Sequence, residues 1–593
     1  MKNFFIVFFS SLLGVIISIV LVGLIFTLAV TSVIREAVGG EGIALEQLLP
    51  NSVLYMDLSS EIQERSGGNP FSGFDLSGNE KQSLDVILMS LKRAKSDSSI
   101  KGIYLKTGNM EGGFATLEEI RNALTDFKSS KKFIYAYSET YNQKSYYVAS
   151  VADQIFLNPQ GSLDWKGLSA QIMFFKNALE KMNVEIQIFR HGKYKSAVEP
   201  YFLDKMSENN RTQTEAFMNS IWASVVSGVS QSRGIPSEQL NSIADGLTIR
   251  KAADAVNNKL IDGLKYEDEV QQLIKERLKI KTGDKISFIK LAAYRKATRK
   301  EKADDKAENK VAVIYAVGEI EGGEGDDNTI GSDRIAKAIR DARTDSTIKA
   351  IVLRVNSPGG SALASDVMWR EVTLAKKVKP VVVSMGDVAA SGGYYISCSA
   401  TRIFAHPNTI TGSIGVFGVM PNAQRLLSEK LGINVDTVNT NKHSDLGTMF
   451  RPVSGEEMYY IQQSVEDVYG VFISRVADGR AIQLNQVDSI GQGRVWSGSD
   501  ALKIKLVDEL GGLEKAISYA AKTAKLSGDD YSIVAFPKKM NPIDKFFKDK
   551  EDEMELKWMK NNLGNNYRYF QAFQFLLKAE GVQARLPFEV IVY

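Results

Sequence analysis

The chain has 593 residues, of which 44% are hydrophobic and 24% are charged, and its 73 basic and 70 acidic side chains give a net charge of +3. This length allows two large domains or about three to five ordinary ones, and the near-balance of charge argues against a nucleic-acid-binding protein, which usually has a strong basic excess. The single cysteine, Cys398, excludes an intramolecular disulfide and a zinc site built on several cysteines. The three histidines (His191, His406 and His443) form no HExxH motif, so we expect neither a metal centre nor a cofactor.

The N-terminus contains a long apolar run, because residues 4–34 include no charged side chain. About 20 apolar residues suffice to cross the hydrocarbon core of a membrane as a helix. A cleaved signal peptide is the alternative, but its apolar region spans only about 7–15 residues and ends at a small-residue cleavage site, for which there is no good candidate here. The sequence therefore predicts an uncleaved transmembrane anchor at residues 1–35 that contacts membrane lipid through residues 4–34, with the remaining chain soluble on one face.

The rest of the chain contains two copies of one unit. Residues 100–105 (IKGIYL) match residues 348–353 (IKAIVL) at an offset of 248, and the same offset pairs Tyr146 with Tyr394. In each copy, short β-branched runs alternate with helical patterns, which favours βαβ units and parallel sheet. The sequence therefore predicts an α/β fold of two tandem repeats.

These patterns divide the chain into five parts: the anchor at 1–35, a first repeat at 46–294, a charged linker at 295–310, a second repeat at 311–536, and a helical extension with a tail at 537–593. The linker is dense in charge and has no apolar periodicity. The tail ends in apolar residues, and we expect it to pack on the protein. Docking onto a partner and occupation of a substrate groove are the alternatives.

Ser391 lies between a hydrophobic strand pattern and a helix-compatible stretch, in residues 386–395 (GDVAASGGYY). A serine at this junction would sit near a helix N-terminus, whose partial positive charge favours developing negative charge. The arrangement resembles a nucleophile elbow, although the letters are not GxSxG, and a serine that only caps the helix is the alternative. The equivalent residue of the first copy is Gln143, so only the second copy could supply this nucleophile.

Two further segments carry groups that such a serine would need. Residues 356–360 (NSPGG) follow a strand pattern, and consecutive glycines there can direct backbone N–H groups at one point, as an oxyanion hole requires; an ordinary Pro-Gly turn is the alternative. Lys195, in KYKSAVEP (193–200), could act as a general base only if burial lowered its pKa from about 10.4, and a solvated surface lysine is the alternative. In the second copy, Lys195 falls near Ser444 in NKHSDLG (441–447), so the second copy lacks that lysine. Each copy thus keeps one part of the apparatus, which suggests a single site built from both halves.

Together these segments resemble the signal peptide peptidase A (protease IV) family in its long bacterial form, over nearly the whole chain. NSPGG and GDVAASGG are also similar to the wider Clp protease and crotonase superfamily, whereas their combination with YKSAVEP is specific to the long peptidase. The resemblance implies two tandem Clp protease/crotonase-like repeats after an N-terminal transmembrane helix. The roles it implies are nucleophile for Ser391, base for Lys195, oxyanion N–H groups for Gly359 and Gly360, and orientation of the lysine for Ser413. We interpret Asp387 as structural support for the elbow.

The resemblance further implies a serine endopeptidase with a Ser-Lys dyad that degrades remnant signal peptides and other hydrophobic peptides at the membrane surface. It implies a homotetramer in the bacterial inner (cytoplasmic) membrane, with a single span and the catalytic domains on the periplasmic side. Two alternatives are a crotonase-like acyl-CoA enzyme, which would need neither Ser391 nor Lys195, and a non-enzymatic membrane scaffold of the same fold. Whether the lysine meets a serine of its own chain or of a neighbour stays open at this point.

Overall fold

The structure, a computed structural model, describes residues 48–65, 82–281, 283–299, 308–528, 530–538 and 582–586. The predicted anchor, the middle of the predicted linker and most of the predicted C-terminal extension therefore lie outside the described residues. Within the described ranges, no helix has the length and the apolar character that crossing a membrane requires.

The first half of the chain alternates strands and helices. Its strands are β1 (Ser52–Asp57), β2 (Ile62–Gln63), β3 (Gln82–Ser83), β4 (Ile100–Lys106), β5 (Phe133–Tyr141), β6 (Gln154–Leu163), β7 (Glu185–Arg190), β8 (Gly263–Leu264) and β9 (Phe288–Lys290). Its α-helices are Leu84–Ser96, Phe114–Lys128, Gln143–Ala149, Lys176–Lys181, Glu199–Phe202, Glu208–Arg233, Ser237–Asp245, Ala252–Asn257, Glu267–Leu278 and Leu291–Arg299, and a 3-10 turn covers Ser196–Val198.

The second half repeats this alternation and adds several short strands. Its strands are β10 (Asn309–Val317), β11 (Glu319–Glu321), β12 (Thr329–Gly331), β13 (Ile348–Ser357), β14 (Gly359–Ser361), β15 (Val381–Ala390), β16 (Arg402–Ala405), β17 (Ile410–Gly412), β18 (Phe417–Asn422), β19 (Val495–Ser497), β20 (Glu509–Leu510), β21 (Tyr531–Phe536) and β22 (Gln583–Arg585). Its α-helices are Ser332–Thr344, Ala362–Lys376, Gly392–Ser397, Gly455–Arg480, Leu484–Ile490, Gly498–Lys503 and Leu513–Thr523, and a π-helical turn covers Leu426–Leu431.

Each half builds its own parallel sheet, and the strand orders of the two sheets match. The first sheet runs β8-β6-β5-β4-β1-β9 and the second contains the equivalent path β20-β16-β15-β13-β10-β21, with every pair along both paths parallel. The central strands are buried on both faces, which explains why β13 and β15 contain continuous rather than alternating apolar runs. The predicted α/β fold of two tandem repeats is therefore confirmed.

A third, mixed sheet joins the two halves and positions the site. Its order is β12-β11-β14-β22-β18-β7, so it contains one strand of the first half, β7. That strand pairs antiparallel with β18 over six residues, from Glu185 opposite Asn422 to Arg190 opposite Phe417. The chain leaves β7 five residues before Lys195, and this pairing therefore brings the lysine to the second half.

Candidate active site

Ser391 follows the last residue of β15 and precedes the six-residue helix Gly392–Ser397. Its backbone has φ 54° and ψ −112°, a conformation that non-glycine residues seldom adopt and that usually marks a functional constraint. The main-chain N–H of Ser391 donates to the Gly412 carbonyl at 2.8 Å, which holds the strained junction in place. The side chain is fully buried and makes no capping hydrogen bond to the helix, so its hydroxyl is available for another partner.

That partner is the amine of Lys195, from the first half of the same chain. Nζ of Lys195 lies 2.9 Å from Ser391 Oγ, 3.1 Å from Ser413 Oγ and 3.3 Å from the Ser413 carbonyl oxygen. A neutral amine has two hydrogens and one lone pair. It can donate both hydrogens to Ser413 and direct the lone pair at the Ser391 hydroxyl, which is the arrangement a general base needs.

The environment of Lys195 favours that neutral form. The side chain has no solvent exposure, and the ring of Phe417 lies 5.9 Å from Nζ. Burial holds the pKa of the Lys195 amine well below its usual range, because removing an ammonium from water penalises the charged form. The interpretation of Lys195 as a solvated surface lysine is therefore not supported by its surroundings.

The glycines of the NSPGG segment lie directly beside the serine. Gly359 begins β14 with φ 98°, and a Cβ on it would come within 2.8 Å of the Gly392 nitrogen, so the two backbones are in close contact. Gly359 N–H donates to Ser357 Oγ at 3.1 Å, and Gly360 lies opposite Ile320 in the mixed sheet. Gly392 was not predicted from sequence as a site residue, although the N–H that follows the nucleophile is an oxyanion donor in nucleophile-elbow enzymes.

A segment near the C-terminus occupies the groove beside these glycines. Strand β22 lies between β14 and β18, with Ala584 opposite Gly360 and antiparallel to it. Leu586 N–H donates to the Pro358 carbonyl at 2.7 Å, and a Cβ on Gly359 would lie 2.1 Å from the Ala584 carbonyl oxygen. Residues 582–586 thus pack on the protein, as expected for the tail, with Ala584 and Leu586 buried in the apolar core. The rest of the tail lies outside the described residues.

Ser413 and Asp387, the two residues expected to support the site, contact different parts of the molecule. Ser413 is fully buried and contacts the lysine amine directly. Asp387 contacts the first half instead: its carboxylate accepts from Thr116 N–H at 2.8 Å and from Thr116 Oγ1 at 2.6 Å. Asp387 thereby caps helix Phe114–Lys128, which has glycine and no side-chain cap at its own N-cap position. The structure thus places Asp387 between the two halves, four residues before Ser391.

Cys398 and the histidines lie outside the cluster around Ser391. Cys398 is fully buried, and burial raises the pKa of its thiol to about 12, which leaves it an unreactive packing group. His191 bonds to Glu466 at 2.5 Å, and its ring stacks on Tyr469. Among the residues that the structure describes, no three His, Cys, Asp or Glu side chains converge on a point that could hold a metal ion.

Comparisons with known proteins identify the family of the chain. The profile of Peptidase family S49 matches residues 126–281 and 373–527, which together make up more than half of the chain and fall in the two repeats. Protease 4 of Salmonella typhi is 39% identical over 505 residues, which are 82% of this chain and 80% of that protein. The chloroplastic serine protease SPPA of Arabidopsis thaliana is 33% identical over 488 residues, 81% of this chain and 70% of that protein.

Among solved structures, a ClpP1 mutant from Listeria monocytogenes matches 37% of this chain and 99% of its own, with 15% sequence identity and a TM-score of 0.25. The S49 profile and the named proteases decide against the acyl-CoA enzyme and the non-enzymatic scaffold, since each describes a protease. The chain belongs to peptidase family S49 and is a serine protease.

Proposed function

We propose that the protein is an endopeptidase in which Ser391 is the nucleophile and Lys195 is the general base. The observation that carries the proposal is the 2.9 Å separation of the amine from the hydroxyl, in a place without solvent exposure. A base must lie within about 2.6–3.2 Å of the heavy atom whose proton it removes, and a lysine must be buried to be neutral near pH 7. Both conditions hold for this pair within one chain.

In the proposed reaction, Lys195 accepts the proton of Ser391 while Oγ attacks the carbonyl carbon of a peptide bond. The tetrahedral oxyanion faces the backbone N–H groups of Gly359 and Gly392, and the Gly359 N–H exchanges its bond to Ser357 Oγ for one to the oxyanion. Gly360 is a further donor that the family resemblance implies. The C–N bond then breaks, and the leaving amine takes the proton from the lysine ammonium. Water, deprotonated by the same amine, hydrolyses the acyl-enzyme and returns Ser391 to its starting state.

The proposed substrates are remnant signal peptides and other hydrophobic peptides in an extended conformation. The support for an extended peptide is the slot between β14 and β18, which holds three residues of the chain's own C-terminal region in antiparallel pairing. An added strand gains main-chain hydrogen bonds and leaves alternate side chains for apolar pockets. Within this slot, Ala584 packs in one apolar cluster with Ile320 and Ala362.

We further propose that the protein is a homotetramer, anchored through residues 4–34 in the bacterial inner membrane, with its catalytic domains on the periplasmic side. The support for the anchor is the uncharged apolar run, and the support for the assembly and its orientation is the family resemblance. Extraction of membranes with alkaline carbonate tests the anchor. Recovery of the full-length chain in the soluble fraction would contradict it.

Substitution of the two reacting groups tests the reaction. Ser391→Ala and Lys195→Ala are each expected to reduce hydrolysis of a hydrophobic reporter peptide by at least about 10³-fold, the scale on which a reacting group acts. Lys193→Ala is the matched control, because Lys193 is exposed and lies two residues from the base. A fluorophosphonate probe should label the parent and the control but not Ser391→Ala. Normal turnover by Lys195→Ala would exclude the dyad.

A further inference from the structure

The fully buried side-chain amide of Gln213 links two parts of the molecule by hydrogen bonds. One is the turn that contains Lys195, and the other is a strand of the second half. Gln213 lies on helix Glu208–Arg233 and has no solvent exposure. Its Nε2 donates to the Tyr194 carbonyl at 3.1 Å and to Ser196 Oγ at 3.0 Å, and these are the two neighbours of Lys195 in the chain. Its Oε1 accepts from the Val495 N–H at 3.1 Å, at the start of β19.

The two backbone partners fix which end of the amide is which. A carbonyl oxygen can only accept and a main-chain N–H can only donate, so Nε2 must face Tyr194 and Oε1 must face Val495. A side chain without both functions would leave a buried donor and a buried acceptor unpaired. Position 213 therefore requires a side chain that both donates and accepts, as glutamine does, and a polar residue of similar size with only one of these functions would not satisfy both partners.

The chain just before Val495 holds the same turn from another direction. Tyr194 N–H donates to the Gln492 carbonyl at 2.9 Å. Gly493, at φ 79°, lies so close that a Cβ on it would come within 2.7 Å of the Lys195 nitrogen and Cα. The carbonyl of the residue after Gly493 accepts from Ser413 N–H at 2.7 Å. One segment of the second half, residues 492–494, therefore holds both the turn that carries Lys195 and Ser413, which accepts the hydrogens of the amine.

We infer that Gln213 is a positioning residue for the reaction, holding the Lys195 amine at its distance from Ser391 and Ser413. This inference rests on the proposed function, since it concerns the proposed base. Lys195 lies in a turn between β7 and the 3-10 turn, outside any strand or helix that would fix its main chain. A lysine side chain also loses rotamer freedom when it is held in one geometry. Gln213 restrains the residues on both sides of the lysine, through the main-chain carbonyl of Tyr194 and the side-chain hydroxyl of Ser196.

Loss of the amide is expected to change the reaction in a way that loss of packing alone would not. A loosened turn would move the amine away from Ser391 and admit water to it. Because burial is what lowers the pKa of the lysine, water access would raise that pKa and move the acid limb of the pH profile to higher pH. A merely structural glutamine would change the fraction of folded molecules, but neither the rate per active site nor its pH dependence.

The test compares Gln213→Leu with Gln231→Leu in the full chain. Gln231 lies on the same helix, is exposed, and makes only a 3.5 Å contact with Ser227. A fluorophosphonate probe gives both the number of active sites, from the labelling amplitude, and the rate constant at each pH. For Gln213→Leu we expect the rate constant per labelled site to fall about 10- to 100-fold, with the acid limb at higher pH and an unchanged KM for the reporter peptide. Gln231→Leu should behave as the parent.

A second variant keeps the test decisive if Gln213→Leu folds poorly. Gln213→Asn keeps a neutral amide but is one methylene shorter, so it cannot reach both the Tyr194 carbonyl and the Val495 N–H and would loosen the turn without adding a charge. It should therefore shift the acid limb to higher pH as well. An unchanged rate per site, or a reduced rate with an unchanged acid limb, in either variant would overturn the inference. Labelling of Lys195→Ala at the parental rate would instead overturn the proposed function.

Discussion

The burial that suits the Lys195 amine to its proposed role as a base also lowers the free energy of unfolding of the protein. Its pKa is well below the usual range in the folded protein because of burial, and it is about 10.4 in the unfolded chain. Between these two values the unfolded chain binds one more proton than the folded one. The free energy of unfolding therefore rises by about 1.4 kcal/mol per pH unit in this window and falls as the pH is lowered.

Lys195→Met is expected to stabilise the protein while removing its activity. The methionine keeps an unbranched apolar chain of similar length and has no charge to desolvate, so the free energy of unfolding at pH 7 should increase. The advantage should shrink towards pH 10, where the unfolded lysine also loses its proton. Urea unfolding of both proteins at the two pH values measures this, with exposed Lys193→Met as the control. Equal stability at pH 7 would mean that the amine is not desolvated in solution.

Residues of the site differ in how visible they are in the sequence. Ser391 and Lys195 stood out because the other copy has a different residue at the equivalent position, and Gln143 in place of the serine was the clearest sign. Gln213 could not be found in this way, since its partner Val495 lies 282 positions further along the chain and no local pattern marks a bridging amide. The periodicity of apolar residues predicts which face of a helix or strand is buried, but it does not predict which polar group of another segment a buried side chain will contact.

At the scale of elements, the long strands were predictable and the short ones were not. The strands of the parallel sheets are apolar runs that recur at one offset, and the repeat therefore predicted both sheets. Strands β14 and β22 have three residues each and belong to distant parts of the chain. Their pairing depends on a slot that exists only after both halves have folded, so no local propensity could indicate it.

Strand β22 is expected to compete with substrate, because it fills the slot that an extended peptide would need. Ala584→Pro removes a main-chain donor from the middle of this strand and should release it. The KM for the reporter peptide should then fall several-fold while kcat stays similar, since a tethered competitor acts at a high effective concentration. Steady-state kinetics of Ala584→Pro and of the control Ala584→Ser, which keeps the N–H, measure this. A higher KM in Ala584→Pro would show instead that the strand supports the site.

At the scale of the whole molecule, the proposed reaction depends on the docking of two halves that each have their own sheet. Besides β7 and β18, the halves are joined by Arg354 of β13, which is fully buried. Its guanidinium is paired with Glu64 at 2.9 Å and with Glu119 at 2.9 Å, both from the first half. Although burial opposes it, the Arg354 charge helps to hold the pKa of Glu119 at about 2, so this carboxylate is ionised at any pH of interest. The surface between the two halves thus contains the buried charge of Arg354, which is paired only while the first half supplies Glu64 and Glu119.

Arg354→Met is therefore expected to destabilise the molecule by about 3–5 kcal/mol, the range for removal of one partner from a buried ion pair. The control is Arg340→Met, which breaks a half-exposed pair with Glu371 inside the second half and should cost at most about 1 kcal/mol. Since the amine and the hydroxyl come from opposite halves, probe labelling of Ser391 should be lost at a lower urea concentration in Arg354→Met than in the control. If labelling and global unfolding of Arg354→Met both follow the control, the ion cluster does not hold the two halves together. They are then joined by the mixed sheet and by contacts such as those of Asp387 with Thr116 and of Gln213 with Val495.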